Sequence, residues 1–281
     1  MRSKTQHSGE TRRGPGGYAT LIVAAFLTLV PFLVAVIGSL RTTADIGAHP
    51  LGLPIPPVWD NYRSVIGSSS FWVQLGNSVL VATLTVVLVL FSASLAAFAL
   101  SRFQFRGRET VYGFFTLGLL FPASVGILPL YLMVRNLGLL DTPIGVALPQ
   151  AAFALPVTIV ILRPFFQSIP RELEEAAAVD GAGRMRFFWR ILLPMSVPAL
   201  ITVGILALVQ SWNSYVLPLL LLTSNDHWTL PLGVAQFSGS YLFDTAGVLA
   251  YTVMAIIPTL VAYSVAERFI VEGLTAGAVK G

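Results

Sequence analysis

Six long stretches without a charged side chain set the strongest limit on what this 281-residue chain can fold into. Each stretch has at least 21 residues, and a helix that crosses the hydrocarbon core of a bilayer needs about 20. A soluble domain can bury one such helix, but six in one chain require a lipid environment. The stretches are Gly14–Leu40, Ser64–Ser101, Thr110–Val134, Thr142–Leu162, Ile191–Asn225 and Thr245–Ala266.

We therefore predict an all-α, polytopic membrane protein with six transmembrane helices. The predicted spans are 18–40, 76–100, 111–134, 144–165, 195–222 and 246–267. Pro122 and Pro129 predict a kink in the third span, because an interior proline removes a helical hydrogen bond. The basic N-terminus also fits a signal peptide, but the apolar run that follows it, of about 23 residues, is longer than a signal core. We expect this run to be retained as the first span.

Composition excludes several other classes of protein. Charged residues make up 11% of the chain, against about 25% in soluble domains. The 17 lysines and arginines form no long cluster, so we expect no nucleic-acid partner. The chain has no cysteine, which excludes disulfides and cysteine chemistry, and its three histidines lie far apart. We therefore expect no metal site.

The positions of the basic residues predict the orientation in the membrane. Six spans place both termini on one side, and 14 of the 17 lysines and arginines fall on that side. Only Arg41, Arg63 and Arg135 fall on the other side. Because lysine and arginine are enriched in cytoplasmic loops, we expect both termini, and the loop between spans four and five, to be cytoplasmic.

That loop, about residues 166–194, carries eight charged side chains, so its insertion into hydrocarbon would cost on the order of 20 kcal/mol. Its local signals predict two short helices. Pro170 fits a first helical turn, consecutive alanines favour helix, and Gly181 and Gly183 end it. The second helix would be 184–192. These signals fit a docking element and an amphipathic tether equally well.

The same loop contains a motif that reads Glu-Ala-Ala at 175–177, glycine at 181 and Ile-Leu-Leu-Pro at 191–194. This spacing resembles the cytoplasmic loop of the permease subunits of ABC importers. Two further stretches resemble the carbohydrate type of these permeases. WNSYVLPLLLL at 212–222 is similar to their fifth span, and EGLTAGAVKG at 272–281 is similar to the C-terminus of the second permease subunit of maltose-type systems.

The resemblance implies that the loop forms coupling helices that dock on an ATP-hydrolysing subunit. By this resemblance Glu175 anchors the loop to that subunit, and Gly181 makes the turn. Ala176 and Ala177 would allow close packing. The other motif positions are Asp180, Ile191 and Pro194.

The resemblance also implies the partners and the location. They are a homologous permease in a heterodimer, two ATP-binding cassette subunits, an extracytoplasmic solute-binding protein, a sugar and the lipid of a bacterial inner membrane. We expect a cytoplasmic tail at 1–17, a permease domain at 18–270 with the coupling loop at 167–193, and a second cytoplasmic tail at 271–281.

ATP chemistry is not expected in this chain. It lacks a phosphate-binding loop, no Gly-Lys pair occurs, and its only lysines are Lys4 and Lys280. ATP and Mg²⁺ would therefore be bound by the separate ATPase subunit. No set of side chains indicates catalysis, so we expect a non-enzymatic chain that binds no cofactor itself.

Neutral polar and aromatic residues are the candidates for a sugar pathway, since amides pair with hydroxyl groups and rings stack on sugar C–H faces. The candidates are Asn77, Trp212, Asn213 and Tyr215. The alternative role for each is interhelical hydrogen bonding and packing. The predicted spans lack internal ionisable residues, which disfavours an ion-coupled secondary transporter. That class and a non-transporting scaffold are the alternative functions, and the sequence does not identify the sugar.

Overall fold

The computed structural model describes residues 15–240 and 244–278, with side chains at 17–235 and 244–264. Most of the predicted N-terminal tail, with Lys4, and the final residues, with Lys280, lie outside the described residues. Every regular element in the described ranges is helical, which confirms the all-α prediction. The helices are α1 Pro15–Ser39, α2 Thr43–Ala48, α3 Asp60–Gly67, α4 Ser69–Arg102, α5 Arg108–Gly118, α6 Ala123–Asn136, α7 Pro143–Ser168, α8 Glu172–Val179, α9 Arg184–Met195, α10 Val197–Trp212, α11 Val216–Leu221, α12 Leu230–Ser240 and α13 Thr245–Ala278, with a 3₁₀ turn at Asn225–His227.

Four of these helices, α1, α4, α7 and α13, are long and apolar enough to cross a membrane. Two pairs, α5 with α6 and α9 with α10, pass the same test together but bend by 101° and 79°. Five predicted spans coincide with one of these helices or with the α5–α6 pair, and the fifth, 195–222, overlaps α10 and α11 instead of the α9–α10 pair. The described chain therefore has six spans if each bent pair crosses the membrane once.

The kink predicted in the third span is a complete break between α5 and α6. Pro122 is the residue that caps α6, and its backbone is extended, with φ −68° and ψ 119°. Its missing N–H cannot donate to Gly118, and its ring disfavours a helical conformation at Phe121. Pro129 lies inside α6 without breaking it.

Two connections between the predicted spans contain short helices. The connection between the first and second predicted spans contains α2 and α3, and α4 already begins at Ser69. Thr42 caps α2 because its hydroxyl accepts a hydrogen bond from the Asp45 N–H at 3.2 Å. The connection at 223–245 contains α12. Hydropathy detects none of these short helices, because each has far fewer than the about 20 residues that a span needs.

The fifth predicted span, 195–222, is wrong as a single helix. The helix α10 ends at Trp212 and α11 begins at Val216. The Asn213 side chain donates to the Val209 carbonyl at 3.0 Å, and the Asn213 N–H donates to the same carbonyl at 3.1 Å. Pro218 has no N–H to continue a regular helix through the break. The mean hydropathy stays high across these residues, so it cannot reveal the interruption.

The chain divides into two compact units. They are residues up to 65 with 242–253, and residues 66–241 with 254–281. In the larger unit α4, α7 and α10 pack together, and small residues at their contacts allow close approach. These residues include Ala93, Ala97, Ala154 and Ala207, all buried. The ends of α4 and α7 form the platform on which the loop between α7 and α10 rests.

Buried charge organises the smaller unit. Arg41 is 2% exposed, and its guanidinium donates to the Asp45 carboxylate at 2.6 Å and to the His49 carbonyl at 2.6 Å. The hydrogen bond from Arg41 is the main cause that lowers the pKa of Asp45 below its ordinary value. The Asn61 amide donates to the carbonyls of Ser39 and Arg41. These bonds tie α1, α2 and α3 to one another.

Candidate functional site

The loop between α7 and α10 folds as a helical hairpin, in which residues 180–183 join α8 to α9. Gly181 has a φ of +75°, a left-handed conformation that glycine adopts without steric cost. The Ala182 N–H donates to the Ala177 carbonyl at 2.8 Å, and the Gly181 N–H donates to the Ala178 carbonyl at 3.0 Å. This pattern is a Schellman cap, so the turn expected at Gly181 is present.

The start of α8 differs slightly from the prediction. Arg171 is the capping residue and Glu172 the first helical residue, so Pro170 precedes the helix instead of occupying its first turn. The second segment also extends beyond 184–192 and contains a π turn at Phe188–Leu192. Pro194 cannot donate to the Arg190 carbonyl as a regular helix requires, and a wider turn accommodates this missing bond.

One face of the hairpin is buried in the helical core. Ala177, Phe187, Phe188 and Leu192 are each at most 6% exposed. They belong to one hydrophobic cluster with residues of α4, α7 and α10. Burying Phe187, Phe188 and Leu192 stabilises the contact by about 1.5–3 kcal/mol each. The hairpin is therefore fixed to the ends of the long helices.

The opposite face of the hairpin is open. Glu172, Glu175 and Val179 are exposed at the i, i+3, i+7 spacing of one helical face, and Val179 is 88% exposed. Ala176 and Asp180 are exposed beside them. A small, partly apolar surface flanked by carboxylates is one that another protein can cover closely.

The motif residues thus divide between the two faces. Glu175, Ala176 and Asp180 are exposed, and Pro194 is exposed near the bend between α9 and α10. Two other motif residues are less accessible to solvent, since Ile191 is half-buried and Ala177 is buried. Of the two motif alanines only Ala176 is exposed, because the methyl group of Ala177 packs in the core.

A polar cavity of about 330 Å³ lies beside the hairpin. Glu174 and Glu175 line it together with Arg171 and Arg184. Charges of both signs therefore surround the cavity. Arg102, which the sequence indicated only as a topology signal, also lines it.

The candidate pathway residues also divide into two groups. The indole N–H of Trp212 donates to the Ala255 carbonyl at 3.2 Å. The Asn77 amide donates to the carbonyls of Asp226 and Trp228 at 2.7 and 3.0 Å. For Trp212 and Asn77 the structure gives bonds that hold helices and loops, which is the alternative role considered for them.

Asn213 and Tyr215 are placed differently. Both lie in the break between α10 and α11 and both are exposed, and Tyr215 is 39% exposed. Backbone outside regular helix at membrane depth is tolerated where it lies against protein or lines a water-filled cavity. These two residues therefore remain the candidates for contact with a solute.

A buried polar set within the larger unit was not predicted. The carbonyl oxygen of the Gln150 side chain accepts hydrogen bonds from the hydroxyls of Thr85 at 2.9 Å and Ser211 at 2.6 Å. The three residues belong to α7, α4 and α10. Their bonds fix the register of these helices, a role that the sequence reveals only as polar residues in apolar spans.

A second missed residue holds two connections together in the same unit. The Asp141 carboxylate accepts hydrogen bonds from the N–H groups of Thr223 at 2.8 Å and Ser224 at 2.9 Å. Its other oxygen lies 3.2 Å from the His227 ring nitrogen. Burial acts to raise the pKa of Asp141, but these hydrogen bonds outweigh it and hold the pKa below its ordinary value.

Comparison with known proteins identifies the class to which this geometry belongs. Residues 89–270 match the family described as binding-protein-dependent transport system inner membrane component. The diacetylchitobiose uptake system permease of Streptomyces coelicolor is 34% identical and covers 96% of this chain and 90% of that protein. The trehalose transport system permease of Mycobacterium tuberculosis is 35% identical, and the match covers 93% of this chain and 95% of that protein.

A solved structure shows the same fold. The crystal structure of a bacterial ABC transporter involved in the import of the acidic polysaccharide alginate matches with a TM-score of 0.78 and 27% identity. The match covers 94% of this chain and 99% of that chain. The chain is therefore a multi-pass membrane protein that belongs to the family of binding-protein-dependent transport system inner membrane components, the permease subunits of ABC transporters.

Proposed function

We propose that this permease takes part in the ATP-driven import of a carbohydrate and that its α8–α9 hairpin docks on the ATPase subunit. The observation that carries this proposal is the two-sided hairpin. Ala177 and Phe188 are buried in the helical core, whereas Glu175 and Val179 are exposed. An element fixed on one side and open on the other can pass a partner's motion to the spans.

The carbohydrate assignment rests on the similar proteins. They belong to systems for diacetylchitobiose, trehalose and alginate, which are all built from hydroxyl-rich sugar rings. The exposed amide of Asn213 and ring of Tyr215 offer groups that suit such rings. We infer that a sugar passes this break in the fifth span.

We infer an orientation with both termini and the hairpin in the cytoplasm. The excess of basic residues on that side supports it. A single permease domain at 18–270 would pair with a homologous permease, and a solute-binding protein would deliver the sugar from outside. Two ATPase subunits would drive the change between the two open states, with Glu175 pairing with a basic group on one of them.

Uptake by proteoliposomes tests this function. The chain, its permease partner and its ATPase subunits are reconstituted into proteoliposomes. ATP is supplied on the side of the membrane that carries the ATPase subunits, and the binding protein is added on the opposite side. Labelled trehalose, maltose, diacetylchitobiose and an alginate oligosaccharide serve as probes. We expect uptake of at least one probe that requires both ATP and the binding protein.

Two results would contradict the proposal. Uptake driven by a sodium or proton gradient without the ATPase subunits would show an ion-coupled transporter. A complex that takes up none of the sugars under any driving force would deny this chain a role in sugar import and leave the scaffold alternative.

A further inference from the structure

Two arginines are buried where α4 and α7 end beside the hairpin. Arg102 is the last residue of α4 and is 8% exposed, and Arg163, near the end of α7, is 7% exposed. Arginine is rarely buried unless its charge is paired and its donors are bonded. The bonds of these two residues therefore indicate what each arginine does.

Each arginine bonds the end of the other helix. Arg102 donates to the carbonyls of Phe166 at 2.6 Å and Ile169 at 2.8 Å, at the end of α7. Arg163 donates to the Leu100 carbonyl of α4 at 3.2 Å. The last carbonyls of a helix have no partner within the helix and carry partial negative charge. These reciprocal hydrogen bonds thus hold the ends of α4 and α7 together.

Arg102 also contacts both segments of the hairpin. Its guanidinium lies 3.7 Å from the Glu174 carboxylate of α8 and 5.9 Å from the centre of the Phe187 ring in α9. The neighbouring residue Phe103 lies under the Arg184 guanidinium of α9 at 4.8 Å. The end of α4 is therefore in contact with α7, α8 and α9 at once.

Glu174 and Glu175 both line the polar cavity, but they differ in exposure and in charge pairing. Glu175 is exposed on the open face, whereas the Glu174 side chain is 27% exposed and pairs with Arg102. The Arg102 side chain is only 2% exposed. Water therefore screens the attraction between Arg102 and Glu174 less than it screens the attraction within a surface pair. The two glutamates can thus serve different contacts, one with the partner and one with the spans.

We propose that Arg102 is a positioning residue for coupling: through Glu174 it ties α8 to the joined ends of α4 and α7, so that motion of the docked hairpin reaches the transmembrane helices. This proposal rests on the function proposed above and deepens it. Glu175 holds the ATPase, and the Arg102–Glu174 pair carries its movement inward. Loss of the pair leaves docking intact and separates ATP hydrolysis from transport.

The substitution Glu174→Gln tests this role, because it removes the charge without disturbing the bonds from Arg102 to α7. The reconstituted complex is assayed with the sugar probe that the unaltered complex imports. We expect the ATPase to copurify and to hydrolyse ATP, while sugar imported per ATP falls about fivefold or more, the lower range for coupling between two sites. Asp60→Asn, which removes a carboxylate charge from an exposed pair on α3, is the control and keeps the original ratio.

A double-mutant cycle with Arg102→Gln separates coupling from general stability. Glutamine removes the positive charge that faces Glu174 and keeps an amide that can donate to a carbonyl. If the pair acts as a unit, Glu174→Gln causes a smaller additional loss in the Arg102→Gln chain than in the unaltered chain. Independent, multiplying losses would overturn the proposal. So would an unchanged sugar-to-ATP ratio, or loss of ATPase association, in Glu174→Gln alone.

If the function proposed above fails, the unaltered complex itself shows no ATP-driven uptake. That outcome is distinct from a failure confined to the Glu174→Gln chain.

Discussion

Gly181 shows how one residue sets the shape of the proposed docking surface. Its φ of +75° places it in the left-handed region, where a side chain costs roughly 1–2 kcal/mol. No atom outside its immediate chain neighbours lies within 4 Å of the position of an added Cβ. Glycine is therefore needed at this position because of its backbone conformation, and not because a side chain would clash with a neighbour.

We predict that Gly181→Ser destabilises the hairpin by about 1 kcal/mol, because serine must adopt the left-handed conformation. Hydrogen exchange at the backbone of α8 measures the loss as faster exchange. Gly183→Ser is the matched control, since Gly183 caps α9 with a φ of −66° and serine is favoured at such a cap. Equal exchange in the two variants would show that the turn does not depend on its left-handed residue.

Asp141 shows the effect of one charge on a connection outside the spans. Its carboxylate bonds two consecutive N–H groups, and its pKa is lowered. A carboxyl group with a lowered folded-state pKa stabilises the fold above its unfolded pKa, and this contribution disappears as pH falls through the folded value. The stabilisation is therefore complete at neutral pH and is lost in acid, below about pH 4.

We predict that Asp141→Asn lowers the Tm at pH 7 and that the difference from the unaltered chain shrinks as the pH falls below about 4. Asparagine tolerates the φ of +58° at this position, so the substitution isolates the charge. Thermal unfolding in detergent at several pH values measures the effect. Asp60→Asn, which alters an exposed pair with Arg63, should change little. A Tm difference at position 141 that does not vary with pH would refute the role of the charge.

At the scale of elements, proline alone does not predict where a helix breaks. Pro122 breaks the third span as expected, yet α7 contains Pro149, Pro156 and Pro164 without interruption. Pro218 accompanies the missed break in the fifth span. Neighbouring helices and side chains decide whether the freed backbone groups find partners, and a single sequence does not contain that information.

The hairpin was predictable to a greater degree because its signals are local. Alanines, an acidic first turn and Gly181 indicate a short helix and its end, and the structure contains both. The burial of Ala177 and the bonds of Arg102 were not predictable, since both depend on contacts with residues of distant helices. In the sequence Arg102 is only a basic residue at the end of a span.

At the scale of the whole molecule, hydropathy and one motif were sufficient for the fold class and the family. Long apolar stretches identify membrane helices without knowledge of their contacts, because every span must satisfy the same length and composition. The arrangement of α4, α7 and α10 depends instead on small residues and on the bonds of Gln150. The contacts of these residues can be identified only when the positions of the helices relative to one another are known.

The central claim is that the exposed face of α8 holds the ATPase. Copurification of the ATPase subunit from membranes with Glu175→Lys measures this most directly, because a reversed charge repels the basic group to which Glu175 is proposed to bind. Asp60→Lys, with the same charge change on α3 and outside the hairpin, is the control. The account predicts normal membrane insertion for both, loss of the ATPase with Glu175→Lys and retention with Asp60→Lys. Unchanged ATPase association with Glu175→Lys would contradict it.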